Sequence, residues 1–177
     1  MERIKKEIKE RVMNVVNKVN DAENYETSWN EKGLPESKNK INIKRGSLSR
    51  AQGARFELKV REALETQKWI IDKWTNNVNL EENKIVKVKP KFNPFTKTMV
   101  MNSGGFPDFI AFKKTSGNDY KIIGVEVKMN GILSKIEKEK CKWYLKNKIF
   151  SEILIAKKGE KRGEIEYTNF EEKYGIK

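Results

Sequence analysis

The chain has 177 residues, and its 38 Lys and Arg outnumber 25 Asp and Glu, for a formal charge of +13 with no His. Without His there is no imidazole general base, no Ser-His-Asp triad and no His-built zinc site; one Cys permits neither an internal disulfide nor a Cys cluster for metal. The cationic excess favours a polyanionic partner without choosing among DNA, RNA and an anionic membrane.

A lone thiol points to a reducing, cytoplasmic setting. The first 20 residues alternate charged and apolar positions, unlike a signal peptide, and no apolar run is long enough to span a bilayer. The length suits one domain with appendages.

Taken in order, Glu2 to Val19 carries Ile4, Ile8, Val12, Val15, Val16 and Val19 at helical spacing. This predicts an amphipathic helix that packs on the main domain or on a second copy; Glu on its polar face makes a membrane surface the poorer alternative. Residues 21–48 read as a linker-like basic arm, with Gly33, Pro35, Gly46, Lys38, Lys40, Lys44 and Arg45, anchored only by Tyr25 and Trp29. Such an arm either lies along a phosphate backbone, with Lys44, Arg45 and Arg50 as contacts, or is a solvated loop.

A capping box, Ser49-x-x-Gln52, predicts a helix from Ser49 through Leu64 with Phe56, Val60, Ala63 and Leu64 on its core face. The domains are accordingly expected as 1–48 and 49–177. Gly53, one turn from Glu57, raises the suspicion of a close backbone or ligand approach. Lys68 to Trp74 reads as the first strand of the sheet, followed by an Asn-rich turn, and Lys84 to Lys89 as a short exposed strand. From Pro90 to Gly105 the chain reads as irregular. There, Phe92 and Phe95 among lysines either stack bases or anchor a long hairpin, and Gly104-Gly105 permits close approach to a substrate.

The stretch Gly105 to Lys128 organises the rest. Pro107 to Phe112 is apolar on both faces apart from Asp108, which marks a central strand. In Lys121 to Met129, Ile123, Val125, Val127 and Met129 share one face, while Ile122, Gly124, Glu126 and Lys128 share the other. Two acids at the ends of neighbouring strands, with a Lys two residues beyond the second, suit hydrolysis of a phosphodiester. Carboxylates are the hard ligands of Mg²⁺, the metal lowers the pKa of water, and the Lys offsets developing negative charge. The plain alternative is a turn-initiating Asp beside a strand that shows Glu and Lys to water.

Further on, Ser134 and Glu137 form a capping box that opens a helix to about Asn147. Ser151 to Lys157 is a buried strand, Glu164 to Thr168 an edge strand, and Asn169 caps a short terminal helix.

Pro107-Asp108 followed by Glu126-Val127-Lys128 resembles the PD-(D/E)XK nuclease superfamily, and the likeness covers roughly residues 49–170. It implies an α/β, restriction-endonuclease-like core: a central mixed β-sheet flanked by helices. In that resemblance Asp108, Glu126 and the Val127 carbonyl hold Mg²⁺, with Mn²⁺ as a substitute, and Lys128 positions the nucleophile. The run GARFELKV looks like the helix of archaeal Holliday junction resolvases whose acid completes the metal site, which puts Glu57 in that role; otherwise Glu57 is a surface partner of Arg61. Gly131-Ile132-Leu133-Ser134 is similar to the turn of the resolvase and VRR-NUC branches. The Gln that follows in those branches is replaced here by Lys140, ahead of Trp143 and Tyr144, so Lys140 and Tyr144 are candidate nucleic-acid contacts. The implied activity is metal-dependent DNA hydrolysis on duplex, branched or single-stranded substrate. Alternatives are a dimeric junction resolvase, an exonuclease or restriction-like endonuclease, an RNA substrate, or an inactive nucleic-acid-binding module.

Overall fold

A computed structural model describes the backbone of residues 2–30, 32–88, 91–93, 98–100 and 105–175, and the side chains of residues 6–30, 32–88 and 105–175. The side chains of Ile4 and Phe92, together with Phe95 and Gly104, lie outside the described residues. The chain forms two compact units, one ending at Ala54 and the other beginning at Arg55. The division falls within a helix and not at the expected 48/49 position.

In the first unit, α1 (Glu2–Asn20) leads to an antiparallel hairpin of β1 (Tyr25–Trp29) and β2 (Pro35–Asn39). The basic stretch expected as a linker is therefore ordered. Asn30 Oδ1 accepts from the amides of Lys32 and Leu34, both at 3.0 Å, and Gly33 takes the left-handed φ of +70° that closes the turn. Helix α2 (Lys40–Thr66) starts directly after the hairpin, where Asn39 Oδ1 accepts from the Ile41 amide at 2.9 Å. Ser49 is thus an interior helical residue and not the expected N-cap. Gly46, which reads as a break, is absorbed because one interior Gly costs only about 1 kcal/mol. The apolar stripe of α1 stays largely exposed, with Ile8, Val12, Met13, Val15 and Val16 all open to solvent.

The second unit is mixed α/β. Strands β3 (Ile70–Lys73), β8 (Phe109–Lys114), β9 (Tyr120–Val127), β10 (Glu152–Lys158) and β11 (Ile165–Asn169) form a sheet of order β11-β10-β9-β8-β3. Only β9 and β10 are parallel, and the helix α3 (Lys135–Lys146) lies between them in sequence, as a parallel crossover requires. Two small hairpins, β4 (Asn76–Asn79) with β5 (Lys84–Lys87) and β6 (Lys91–Asn93) with β7 (Thr98–Val100), fall between β3 and β8 in sequence. The Asn-rich segment expected as a turn thus begins with a strand. A short helix α4 (Phe170–Tyr174), capped by Asn169, ends the described chain.

Both faces of the sheet are covered. Phe56, Val60 and Leu64 of α2 pack with Ile71, Phe109, Ala111, Ile123 and Val125 on one side. On the other, Cys141 and Tyr144 of α3 and Phe170 of α4 pack with Phe106, Phe150, Ile153 and Ile155. The β9 face that carries Gly124 and Glu126 is therefore interior, and Glu126 is only 3% exposed. Gly124 is needed there, because a Cβ would lie 2.9 Å from Pro107 Cγ and 3.1 Å from the Phe150 ring.

Two other glycines resolve against expectation. A Cβ on Gly105 would collide with the Trp74 carbonyl oxygen, so this residue admits the backbone that joins β3 to β4 and not a substrate; Gly53 has nothing within 4 Å of its would-be Cβ. Opposite outcomes follow for one substitution. Gly105→Ala should lower the unfolding free energy by about 3 kcal/mol or more, since backbone cannot yield as a side chain does. Gly53→Ala should raise it by up to about 1 kcal/mol, as removal of a helix-interior Gly does. Denaturant unfolding of both variants checks the signs.

Candidate active site

At Phe109 the β8–β9 ladder reaches its last pair, Phe109 opposite Val125. Pro107 has no N–H to continue it. Side chains take over: the Val127 amide donates to Asp108 Oδ2 at 2.8 Å, and the Asp108 amide donates to Glu126 Oε2 at 3.2 Å. The Trp74 amide donates to the Asp108 carbonyl at 3.1 Å. Each acid is thereby held by the other's strand, and both carboxylates are fixed at one end of the central pair.

Lys128 closes the cluster. Its Nζ lies 3.0 Å from Glu126 Oε1 and 2.7 Å from Glu137 Oε1. Glu137 is itself fixed by the capping box of α3: its Oε2 accepts from the Ser134 amide at 2.7 Å, and its own amide donates to Ser134 Oγ at 3.3 Å. Lys128 thus bridges a strand carboxylate and a helix carboxylate.

Burial and like charge work against ionisation here. Burial, opposed by the Val127 hydrogen bond and reinforced by the nearby charge of Glu57, raises the Asp108 carboxyl to about 6. Burial, followed by the charge of Asp108, raises Glu126 to about 8, although Lys128 pulls the other way. Burial pulls the Lys128 ammonium down, but its hydrogen bond to Glu137 and the Glu126 charge outweigh that and hold it above the ordinary lysine range. Glu137 moves oppositely to the other acids: burial raises it, yet the hydrogen bonds from Lys128 and Ser134 leave it below the usual range.

The expected side chains divide clearly. Asp108, Glu126, Val127 and Lys128 come together as anticipated. Glu57 lies half-buried within electrostatic reach of Asp108, and Arg61 pairs instead with Glu65 at 2.9 Å, which removes the surface-pair explanation of Glu57. Lys140 is half-buried on α3 with Nζ 5.6 Å from the Phe106 ring centre, beside the Pro107-Asp108 turn. Tyr144 is a correction. It is fully buried, its hydroxyl accepts from Trp74 Nε1 at 3.1 Å, and it packs edge-on with Trp74, so no nucleic acid can reach it. Lys44, Arg45 and Arg50 are exposed on α2 within the first unit.

Two residues of the site were not anticipated in this role. Glu137 was legible only as a cap; its grip on Lys128 depends on where α3 packs. Lys73, whose charge lowers Asp108, stands opposite Phe109 across the β3–β8 pair, a register that no local pattern announces. The chain matches no protein-family model, no curated protein and no solved structure.

As to metal, no group of three or more His, Cys, Asp or Glu side chains among the described residues is gathered to hold an ion. The donors are a pair, Asp108 and Glu126. Two carboxylates fit Mg²⁺, which keeps several waters and is commonly held by one or two carboxylates plus substrate phosphates. The raised carboxyls supply the physical motive, since a cation would offset both the desolvation that burial imposes and the repulsion between the acids.

The linkage has a definite sign. A carboxyl titrating near 6 in the fold and near 3.8 when unfolded binds protons more readily in the fold, so its contribution to stability falls as pH rises from about 4 to 6. In metal-free buffer at pH 8, Asp108→Asn should therefore be more stable than wild type by about 1–3 kcal/mol, a gap that closes near pH 4. Paired denaturation curves at the two pH values measure it.

Proposed function

We propose that this chain is a metal-dependent nuclease that hydrolyses DNA phosphodiester bonds, built on a restriction-endonuclease-like core. The observation that carries the reading is the braced pair of carboxylates, half-buried Asp108 and buried Glu126, with the Lys128 ammonium against one of them. A pair of adjoining acids whose carboxyls are both raised is costly to the fold, and sites of that kind cluster at function.

Asp108 and Glu126 hold the metal in this reading. Lys128 takes its amide bond from the β10 side, donating to the Ala156 carbonyl at 2.9 Å, so strand alternation turns the Val127 carbonyl towards Asp108, where it is a further oxygen donor. Glu57, within electrostatic reach of Asp108, would add its charge beside a bound cation. Mg²⁺, when bound, supplies a lowered pKa for water and positive charge against the phosphate. The residues do the rest: Lys128, held by Glu137, orients the attacking water and offsets charge developing on the phosphate, and Lys140 binds a neighbouring phosphate. The net charge of +13 draws the polyanion in. The single Cys, a buried free thiol, accords with a cytoplasmic setting.

The test is cleavage of linear, circular, single-stranded and four-way-junction DNA. Mg²⁺ or Mn²⁺ should support hydrolysis and EDTA should abolish it. Asp108→Asn and Glu126→Gln should be inactive yet bind DNA at least as tightly, since they remove negative charge. Lys128→Ala should slow hydrolysis by ~100-fold, the scale of one lost electrostatic stabiliser. Binding without cleavage in the wild-type protein would favour an inactive binding module, and activity surviving both acid substitutions would remove the site.

Glu137 permits a finer measurement. Glu137→Gln keeps the capping box, which accepts Gln at this position, but loses the charge that holds Lys128. Its melting temperature should stay near wild type while its cleavage rate falls by about tenfold, whereas Glu137→Ala should lose both.

A further inference from the structure

The N-terminal unit carries a cleft of about 690 Å³, formed by the end of α1, the β1–β2 hairpin and the first turns of α2. Three cations line it: Lys18 from α1, Lys38 from β2 and Arg50 from α2. Among the described residues no carboxylate lines it, in a chain with 25 acidic residues, and none of the three cations has an ion-pair partner. Lys18 and Arg50 come to it from two helices, while Lys38 stands opposite Glu26 across the hairpin; cations gathered at one concavity favour an anionic ligand there.

The cleft also has an aromatic wall. Tyr25 is half-buried in it with Lys18 Nζ 5.9 Å from the ring centre. Tyr25, Thr27 and Trp29 share one face of β1, and Trp29 at its far end is 69% exposed. Across the hairpin, Ser37 and Asn39 stand opposite Thr27 and Tyr25, which places hydroxyl and amide groups beside the ring.

We propose that this cleft binds a single-stranded polynucleotide, with phosphates on Lys18, Lys38 and Arg50 and a base stacked on Tyr25. A cationic groove interleaved with accessible rings is the arrangement that tracks an unpaired strand, since every base has a face to stack. A duplex presents its phosphates but keeps its bases stacked on each other, which leaves the rings of Tyr25 and Trp29 idle. An acidic peptide meets the cations but offers no planar face to the rings. The volume lies within the range of ligand clefts. This inference rests on the proposed nucleic-acid substrate, but not on the metal site.

The experiment measures affinity of the full chain for labelled dT12, rU12 and a 12-base-pair duplex in EDTA, across a salt series. The combined variant Lys18→Gln/Lys38→Gln/Arg50→Gln should weaken dT12 binding and lower the slope of log Kd against log salt by about 2, as loss of three phosphate contacts to a single strand does. Tyr25→Leu should weaken dT12 by about tenfold, the scale of one base–aromatic stack, while Tyr25→Phe keeps wild-type affinity and duplex binding is unmoved. Equal effects on dT12 and rU12 mean that base and phosphate carry recognition; a larger effect on one means that the sugar contributes as well. Either pattern supports the cleft. Unchanged dT12 affinity in both the triple variant and Tyr25→Leu overturns the proposal. So does a triple variant that loses duplex and dT12 equally while Tyr25→Leu is silent, because the cleft would then hold duplex phosphates. Affinity in EDTA is read without hydrolysis, so a protein that fails as a nuclease still tests the cleft.

Discussion

The reciprocal pair of hydrogen bonds at the end of β8 and β9 is the constraint on which the site depends. Pro107 removes the donor that would extend the ladder, and a strand end left unpaired inside the fold would strand its polar groups. Val127 instead finds the Asp108 carboxylate, and the Asp108 amide finds Glu126. A structural need, satisfying backbone groups where a ladder stops, thus places two carboxylates side by side.

That placement is unfavourable for the carboxylates themselves. Glu126 is interior to the sheet, with Cys141 and Tyr144 of α3 on that face, and it shares its surroundings with Asp108. Lys128 is the cation that touches Glu126, and it is shared with Glu137. The cluster therefore has a cation held between two acids, one on a strand and one on a helix. The capping box makes Glu137 a fixed post, because both its amide and one carboxylate oxygen are already engaged with Ser134. Lys128 can give up Glu126 to another cation and still keep a charged partner.

The N-terminal unit works on different principles. It has little core: much of α1's apolar stripe is open, and its order comes from turn chemistry at Asn30 and Gly33 and from the hairpin ladder. What it concentrates is unpaired positive charge beside aromatic rings. The acid cluster in the second unit and the cationic cleft in the first thus divide the chain's charge into two sites of opposite sign.

The sequence by itself determined the elements whose pattern is local. The alternation in β9, the apolar β8, the Ser134 cap of α3 and the Asn169 cap of α4 are all legible, because side-chain period and capping chemistry act within a few residues. Asp108, Glu126 and Lys128 were legible for the same reason, each lying at the end of a readable strand. Tertiary structure decided the rest. Residues 21–48 read as a linker-like arm because their composition is polar, yet a hairpin needs only a ladder and a turn, and α2 starts at Lys40 because Asn39 caps it there. Tyr144 sits where an aromatic contact would be expected, but packing of α3 on the sheet turns it into the core. The site's fine setting was decided in the same way: the burial of Glu126, the Glu137 post behind Lys128 and the charge of Lys73 near Asp108. Each depends on which surfaces meet across the fold, and that is set by long-range packing, which leaves no local trace in the order of residues.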